Sequence, residues 1–192
     1  MVTVLHAAQA PSCLPPLEAG DHLDQATFHA RYKAMPPSFH AELIGGMVIV
    51  PSPLSRGHGV YHALAMTWLG HYWIATPGTL TCDNATTILG EASEPQRDGA
   101  LIIEPACGGQ TGLSEDGYAT GPPELIVEVA SSSASIDLYA KRRDYEQAGV
   151  LEYVVIVVRQ GVIRWFMLQH GTSNSRCWSY RLRCPLQETS FG

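Results

Sequence analysis

Residues 124–158, ELIVEVASSSASIDLYAKRRDYEQAGVLEYVVIVV, constrain the fold more than any other stretch of the chain. The run opens like a buried strand, yet Glu128 sits in its middle. An ionised carboxylate in a protein interior costs several kcal/mol unless a cation or strong donors compensate it. The run breaks at Ser131-Ser132-Ser133, and a helix follows with Asp137 and Lys141 one turn apart. A second apolar strand closes the unit. An acid forced into a sheet, with a lysine on the next helix, can hold a divalent cation against a phosphate.

The flanking sequence supplies the other elements. Residues 1–23, rich in Ala and Pro, read as a loose leader, and residues 24–192 as a single domain. Asp24 is an N-cap for a short helix that Pro36-Pro37 stops. AELIGGMVIV is a hairpin signal around Gly45-Gly46. Ser55 caps a helix over 56–73, with Val60, Leu64, Trp68 and Leu69 as its core stripe. Strands are expected at 79–89, 98–103, 125–129, 151–158, 162–168 and 176–182. A polar loop fills 107–121, and a helix over 135–148 ends at Gly149. The fold class is therefore α/β, or α+β mixed, with a central mixed sheet. The doubly apolar runs Ile126–Val129 and Val154–Val158 require helices over its faces.

Composition narrows the function. A formal net charge of −6 argues against a protein that coats nucleic acid non-specifically, though Lys141-Arg142-Arg143 is a local basic patch. Five scattered cysteines without a C-x-x-C pair fit the reduced thiols of a cytoplasm. No basic leader precedes an apolar core, and no run reaches membrane-spanning length. The expectation is a cytoplasmic protein with no membrane partner.

Three acids lie on or beside expected strands: Glu42, Asp98 and Glu128, with Lys141 on the helix after the last. Carboxylates on neighbouring strands suit Mg²⁺ or Mn²⁺, which prefer hard oxygen ligands and keep several waters. Such an ion polarises a phosphodiester and lowers the pKa of a bound water. A lysine beside it orients that water or stabilises the developing charge.

The pieces AELIGG, SPLSRGH, QRDGALII and PPELIVEVASSSASIDLYAKRRDYEQAGVLEYVVIV resemble the Uma-type proteins, a bacterial group of restriction-endonuclease-like domains in the PD-(D/E)xK nuclease superfamily. The resemblance spans roughly residues 25–170 and is most specific over 122–153. It implies a restriction-endonuclease-like core in which Asp98 is the first acid of the nuclease motif and Glu128 the second. The superfamily lysine usually stands two residues after that acid, where this chain has Ala130; in the Uma-type branch it comes from the following helix, at Lys141. The same resemblance makes the Val129 carbonyl a further metal ligand and gives Glu42 an assisting role. It places Asp137 and Tyr145 on the Asp-x-x-x-Lys-x-x-x-Tyr helix, and His58 near the cleft. Two positions depart from the pattern: Arg97 replaces the usual proline before the first acid and becomes a candidate phosphate contact, and Met47 replaces an acid.

Each residue also has a plainer reading. Asp98-Gly99 alone is a turn pair. Asp137 with Lys141 alone is an i,i+4 surface pair, and Lys141-Arg142-Arg143 alone a solvated helix face. Ser131–Ser133 is a capping segment, and His62 is packed or exposed. His58 and His62 share a helix face, but Gly59 stands where a zinc protease carries its glutamate. Taken together, the residues lead to the expectation of a metal-dependent endonuclease that hydrolyses DNA phosphodiester bonds with Mg²⁺ or Mn²⁺. Asp98, Glu128, Lys141 and Glu42 would carry catalysis; Asp98, Glu128 and Val129 would hold the metal; His58, Asp137 and Arg97 are secondary. The alternative is a catalytically inactive nuclease-fold module that binds DNA or protein, with a homodimer as its expected assembly.

Overall fold

The computed structural model describes residues 14–169 and 176–182. Helix α1 (Gln25–Lys33) starts where Asp24 accepts from the Thr27 N–H. The hairpin β1 (Glu42–Ile44) and β2 (Met47–Ile49) turns on Gly45 and Gly46, both at positive φ. Of the expected leader, residues 1–13 lie outside the described residues. Residues 14–23 pack against the hairpin: Leu17 is buried with Phe28, Leu43 and Val48, and His22 bridges to Met47.

Helix α2 (Arg56–Ala75) is capped by Ser55, as its sequence predicts. Its buried face is His58, Ala65 and Leu69. The expected stripe was wrong on three of its four members: Val60, Leu64 and Trp68 face outward. The helix is apolar on two sides, so periodicity alone did not say which side meets the sheet.

The expected strand 79–89 is two. It breaks after β3 (Thr79–Asp83), where Asn84 takes a left-handed conformation with φ 48°. It resumes as β4 (Thr87–Ile88) in a different sheet. Strand β5 (Gly99–Ile103) follows. The stretch expected as loop carries β6 (Gly112–Leu113) and β7 (Ala119–Thr120), which join β4 in a three-stranded sheet of order β4-β7-β6.

Strand β8 (Leu125–Ala130) is buried at all six positions. The next helix begins as a π-helical segment, Ile136–Lys141, and continues as α3 (Arg142–Ala148), ending at Gly149 with φ 93°. Strands β9 (Glu152–Val157), β10 (Val162–Met167) and β11 (Arg176–Arg181) are the last strands among the described residues.

The main sheet has six strands in the order β11-β10-β9-β8-β5-β3. Only β8 and β9 are parallel, joined by the helical crossover that a parallel pair requires. Alternation along β8 divides the core. Leu125, Val127 and Val129 pack with Ala65 and Leu69 of α2, whereas Ile126 and Ala130 pack with Tyr145, Tyr153 and Phe166 on the α3 side. This is the mixed sheet covered on both faces that the apolar runs imply, with Glu128 aligned to the α3 face by its register.

Candidate functional site

Strand β8 keeps β9 as a partner along its whole length, from Leu125↔Glu152 to Ala130↔Val157. Its other neighbour, β5, pairs only over Leu125, Ile126 and Val127. Beyond Val127 the two strands part, and Asp98, the residue just before β5, fills the opening. Its Oδ2 accepts the Val129 N–H at 2.7 Å, taking the place of a ladder partner. A residue in an extended strand directs its N–H and C=O to the same edge. The Val129 carbonyl therefore faces the Asp98 side of β8.

Glu128 meets the crossover helix. Its Oε1 accepts from Lys141 Nζ at 3.0 Å and from the Tyr145 hydroxyl at 2.7 Å. Lys141 Nζ also donates to Glu42 Oε1 at 2.9 Å and lies 3.8 Å from Asp137 Oδ1. Glu42 Oε1 in turn accepts the Gln96 N–H at 2.8 Å, and Ser133 Oγ donates to Asp137 Oδ2 at 2.6 Å. Glu42, Glu128, Asp137 and Lys141 are all buried. Wide π-helical segments of this kind recur at functional sites. Here the segment contains both Asp137 and Lys141.

The electrostatics are unbalanced. Burial pushes Glu128 well above the usual carboxylate range; Lys141 opposes that, while Asp98, Asp137 and Glu42 add to it. Asp137 is raised mainly by burial as well. Burial also acts to raise Asp98, but the His58 side chain and the Val129 N–H together bring it below its ordinary value. Lys141 loses by desolvation and gains more from Glu128, Glu42 and Asp137, so it stays charged. Three carboxylates, Glu42, Glu128 and Asp137, thus share the Lys141 ammonium group, and Asp98 has His58 as its basic neighbour.

His58 Nε2 lies 3.3 Å from Asp98 Oδ2, which raises the histidine above its ordinary pKa. His62, read as packed or exposed, is bonded: its Nε2 is 2.9 Å from Asp83 Oδ1 and 3.0 Å from the Asp98 carbonyl. The two histidines therefore serve separate carboxylates.

Arg97 overturns its expected role. It is 0 % exposed, so no phosphate reaches it. One nitrogen donates to the Ala85 carbonyl at 3.2 Å, and Nε and Nη2 have no partner among the described residues. Burial holds it below the ordinary arginine pKa. The basic patch dissolves too: Lys141 is buried, Arg142 lies over the Phe166 ring at 5.1 Å, and Arg143 alone is exposed. Ser133 directly precedes the helical run, which opens at Ala134, and its carbonyl accepts the Asp137 N–H while its hydroxyl donates to the Asp137 side chain. The contribution of Tyr145 was visible only as the third member of an i, i+4, i+8 series, and that of the Gln96 backbone N–H left no sequence signal.

Among the described residues, no group of three or more His, Cys, Asp or Glu side chains is spaced to hold a metal ion. Asp98 and Glu128 form a smaller set, two carboxylates, with the Val129 carbonyl beside them. It is made of the hard oxygen donors that Mg²⁺ and Mn²⁺ prefer, and each carboxylate has a basic neighbour, Lys141 at Glu128 and His58 at Asp98. The donor chemistry fits such an ion.

A mixed sheet with parted central strands, a carboxylate on each and a lysine on the crossover helix defines a restriction-endonuclease-like α/β fold. The chain belongs to the Uma2 family, described as “Putative restriction endonuclease”, whose model matches residues 26–179. Its fold is also similar to a crystal structure from Anabaena variabilis described as “a putative nuclease belonging to DUF820”. That match has a TM-score of 0.59 and 11 % identity over 78 % of this chain and 82 % of that one. No curated protein matches the chain. Among the described residues, no helix is long and apolar enough to cross a membrane.

Proposed function

We propose that the chain is a metal-dependent endonuclease that hydrolyses phosphodiester bonds in DNA. The observation that carries this reading is the convergence on one strand segment: Asp98 binds the Val129 N–H while Lys141 binds the adjacent Glu128. Asp98, Glu128 and the Val129 carbonyl would hold Mg²⁺ or Mn²⁺. When bound, such an ion polarises the phosphodiester and lowers the pKa of a bound water.

The protein's own groups do the rest. Tyr145 and Lys141 fix one Glu128 oxygen, which leaves Oε2 free of both. Lys141 stays protonated, so it acts as a donor to the attacking water or a non-bridging phosphate oxygen and not as a base. Glu42 and Asp137 hold the ammonium group in place. In the reaction, a water oxygen adds to phosphorus, the bond to the leaving ester oxygen breaks, and that oxygen takes up a proton.

Incubation of purified protein with DNA and Mn²⁺ or Mg²⁺ tests the reading. Cleavage should occur and should fall at least about a hundredfold in Asp98→Ala, Glu128→Ala and Lys141→Ala, the scale of losing one preorganised electrostatic contact. Cleavage that persists in all three variants refutes the assignment.

One observation favours the second reading, a nuclease fold without turnover that binds DNA or protein. Glu42, Glu128, Asp137 and Lys141 are nearly closed to solvent, and Asp98 alone keeps appreciable access, with 15 % of its side chain exposed. DNA binding without cleavage in either metal would select it.

A further inference from the structure

Helix α2 carries no charged residue after Arg56 across its remaining length to Ala75. One face lies on the sheet. The other presents Gly59, Val60, Ala63, Leu64, Thr67, Trp68 and His71 to solvent, with Trp165 packed edge-on against Trp68 at its border. A helix with apolar stripes on two sides belongs between two layers, and among the described residues this one has a layer on one side only.

The glycines make the same point independently. A Cβ built on Gly59 or Gly70 meets nothing within 4 Å, so the monomer's packing requires neither glycine. Neither has a positive φ. A glycine inside a helix costs about 1 kcal/mol relative to alanine. A cost with no return inside the monomer points to a backbone that approaches from outside.

We propose that this face of α2 packs against α2 of a second copy of the chain, antiparallel about a two-fold axis near Ala63 and Thr67. The face is self-complementary. Val60, Leu64 and Trp68 form a ridge, and Gly59, Ala63 and Thr67 beside it form the shallow row that a like ridge enters. Steps of four residues along both rows give the ridge-into-groove packing of two similar helices. At exposures of 51 % for Val60, 59 % for Leu64, 42 % for Trp68 and 85 % for Ile74, the face offers on the order of 600 Å². A standard interface takes roughly 800 Å² from each partner. Beside it Trp68 continues into an apolar cavity of about 310 Å³ lined by Ile163, Trp165 and Tyr180, which adds to the same face without closing the shortfall.

Charge separates this occupant from others. An anionic lipid surface calls for lysines and arginines around the apolar face; here the chain carries net −6 and the helix a single arginine at its start. A charged protein partner would meet only Arg56 and His71 of α2, one towards each end of this face. A second copy needs no charged group to meet.

Sedimentation equilibrium of the full chain tests the proposal. The wild type should show twice the monomer mass at micromolar concentration. Ala63→Arg and Gly59→Leu each put bulk on an exposed position, so the monomer should fold, with unchanged circular dichroism. Each should weaken dimerisation at least tenfold. A wild type that stays monomeric up to several hundred micromolar overturns the proposal. So does a dimer that neither variant weakens, or α2-dependent flotation of a monomer with anionic vesicles.

Discussion

Asp98 and Val129 are joined across the gap between two parting strands: the Asp98 carboxylate accepts the Val129 N–H at 2.7 Å, just beyond the last pair, Gly99 with Val127. This contact lets a carboxylate end a strand ladder without leaving a buried N–H unpaired, and it fixes Asp98 beside Glu128. Asp98→Asn keeps an acceptor for Val129 and removes the charge. The variant should fold within about 1.5–3 kcal/mol of wild type, the scale of one hydrogen bond to a charged group, yet lose DNA cleavage. Urea unfolding and a cleavage assay on the same preparation check both halves. Retained cleavage would count against a metal-binding role for Asp98.

Lys141 is the cation that Glu42, Glu128 and Asp137 share. Its removal leaves buried carboxylates without a partner. Lys141→Met should therefore destabilise the protein by about 3–5 kcal/mol at neutral pH. Urea unfolding measures it. Lys141→Arg should not restore cleavage, because a planar guanidinium cannot reproduce a compact ammonium between three carboxylates.

Arg97 is a buried guanidinium with two unpartnered nitrogens among the described residues. Removing both the charge and its unmet donors should recover desolvation energy. Arg97→Met should leave stability unchanged or raise it by about 1 kcal/mol. A loss of more than about 2 kcal/mol in urea unfolding would show that Arg97 supports the carboxylates nearby.

His58 is raised above its ordinary pKa because Asp98 lies at 3.3 Å, an effect that outweighs burial. A histidine whose folded pKa exceeds its unfolded one contributes stability fully present below the unfolded value and lost as pH rises through the folded value. In the metal-free protein, the Tm difference between wild type and His58→Gln should therefore be largest near about pH 6 and shrink towards about pH 8. Asp98 shifts the other way, so its contribution is present above the ordinary aspartate pKa and fades in acid. A difference that stays flat between those pH values would contradict the pairing.

Glu128 was legible because a carboxylate inside a six-residue apolar run has few physical explanations, and the burial of that strand on both faces follows from the same run. Resemblance, not spacing, connected Glu128 to Glu42, which lies 86 residues earlier and meets it only through Lys141. The orientation of α2 was not legible, since Val60, Leu64 and Trp68 compete with Ala65 and Leu69 at helical spacing. Leu64 and Leu69 are the same residue type, yet the first is exposed and the second buried. The break of the 79–89 stretch depends on one left-handed residue, Asn84, within an otherwise strand-like run. The burial of Arg97 had no warning, because an arginine beside an acid before a strand reads as solvent-facing.

Titration of the metal-free protein with Mn²⁺, followed by calorimetry, tests the shared-cation site most directly. The wild type should take up the ion, and Glu128→Gln and Asp98→Asn should each weaken that uptake at least tenfold with circular dichroism unchanged. Absence of binding in the wild type, or binding in both variants as tight as in the wild type, would contradict the account.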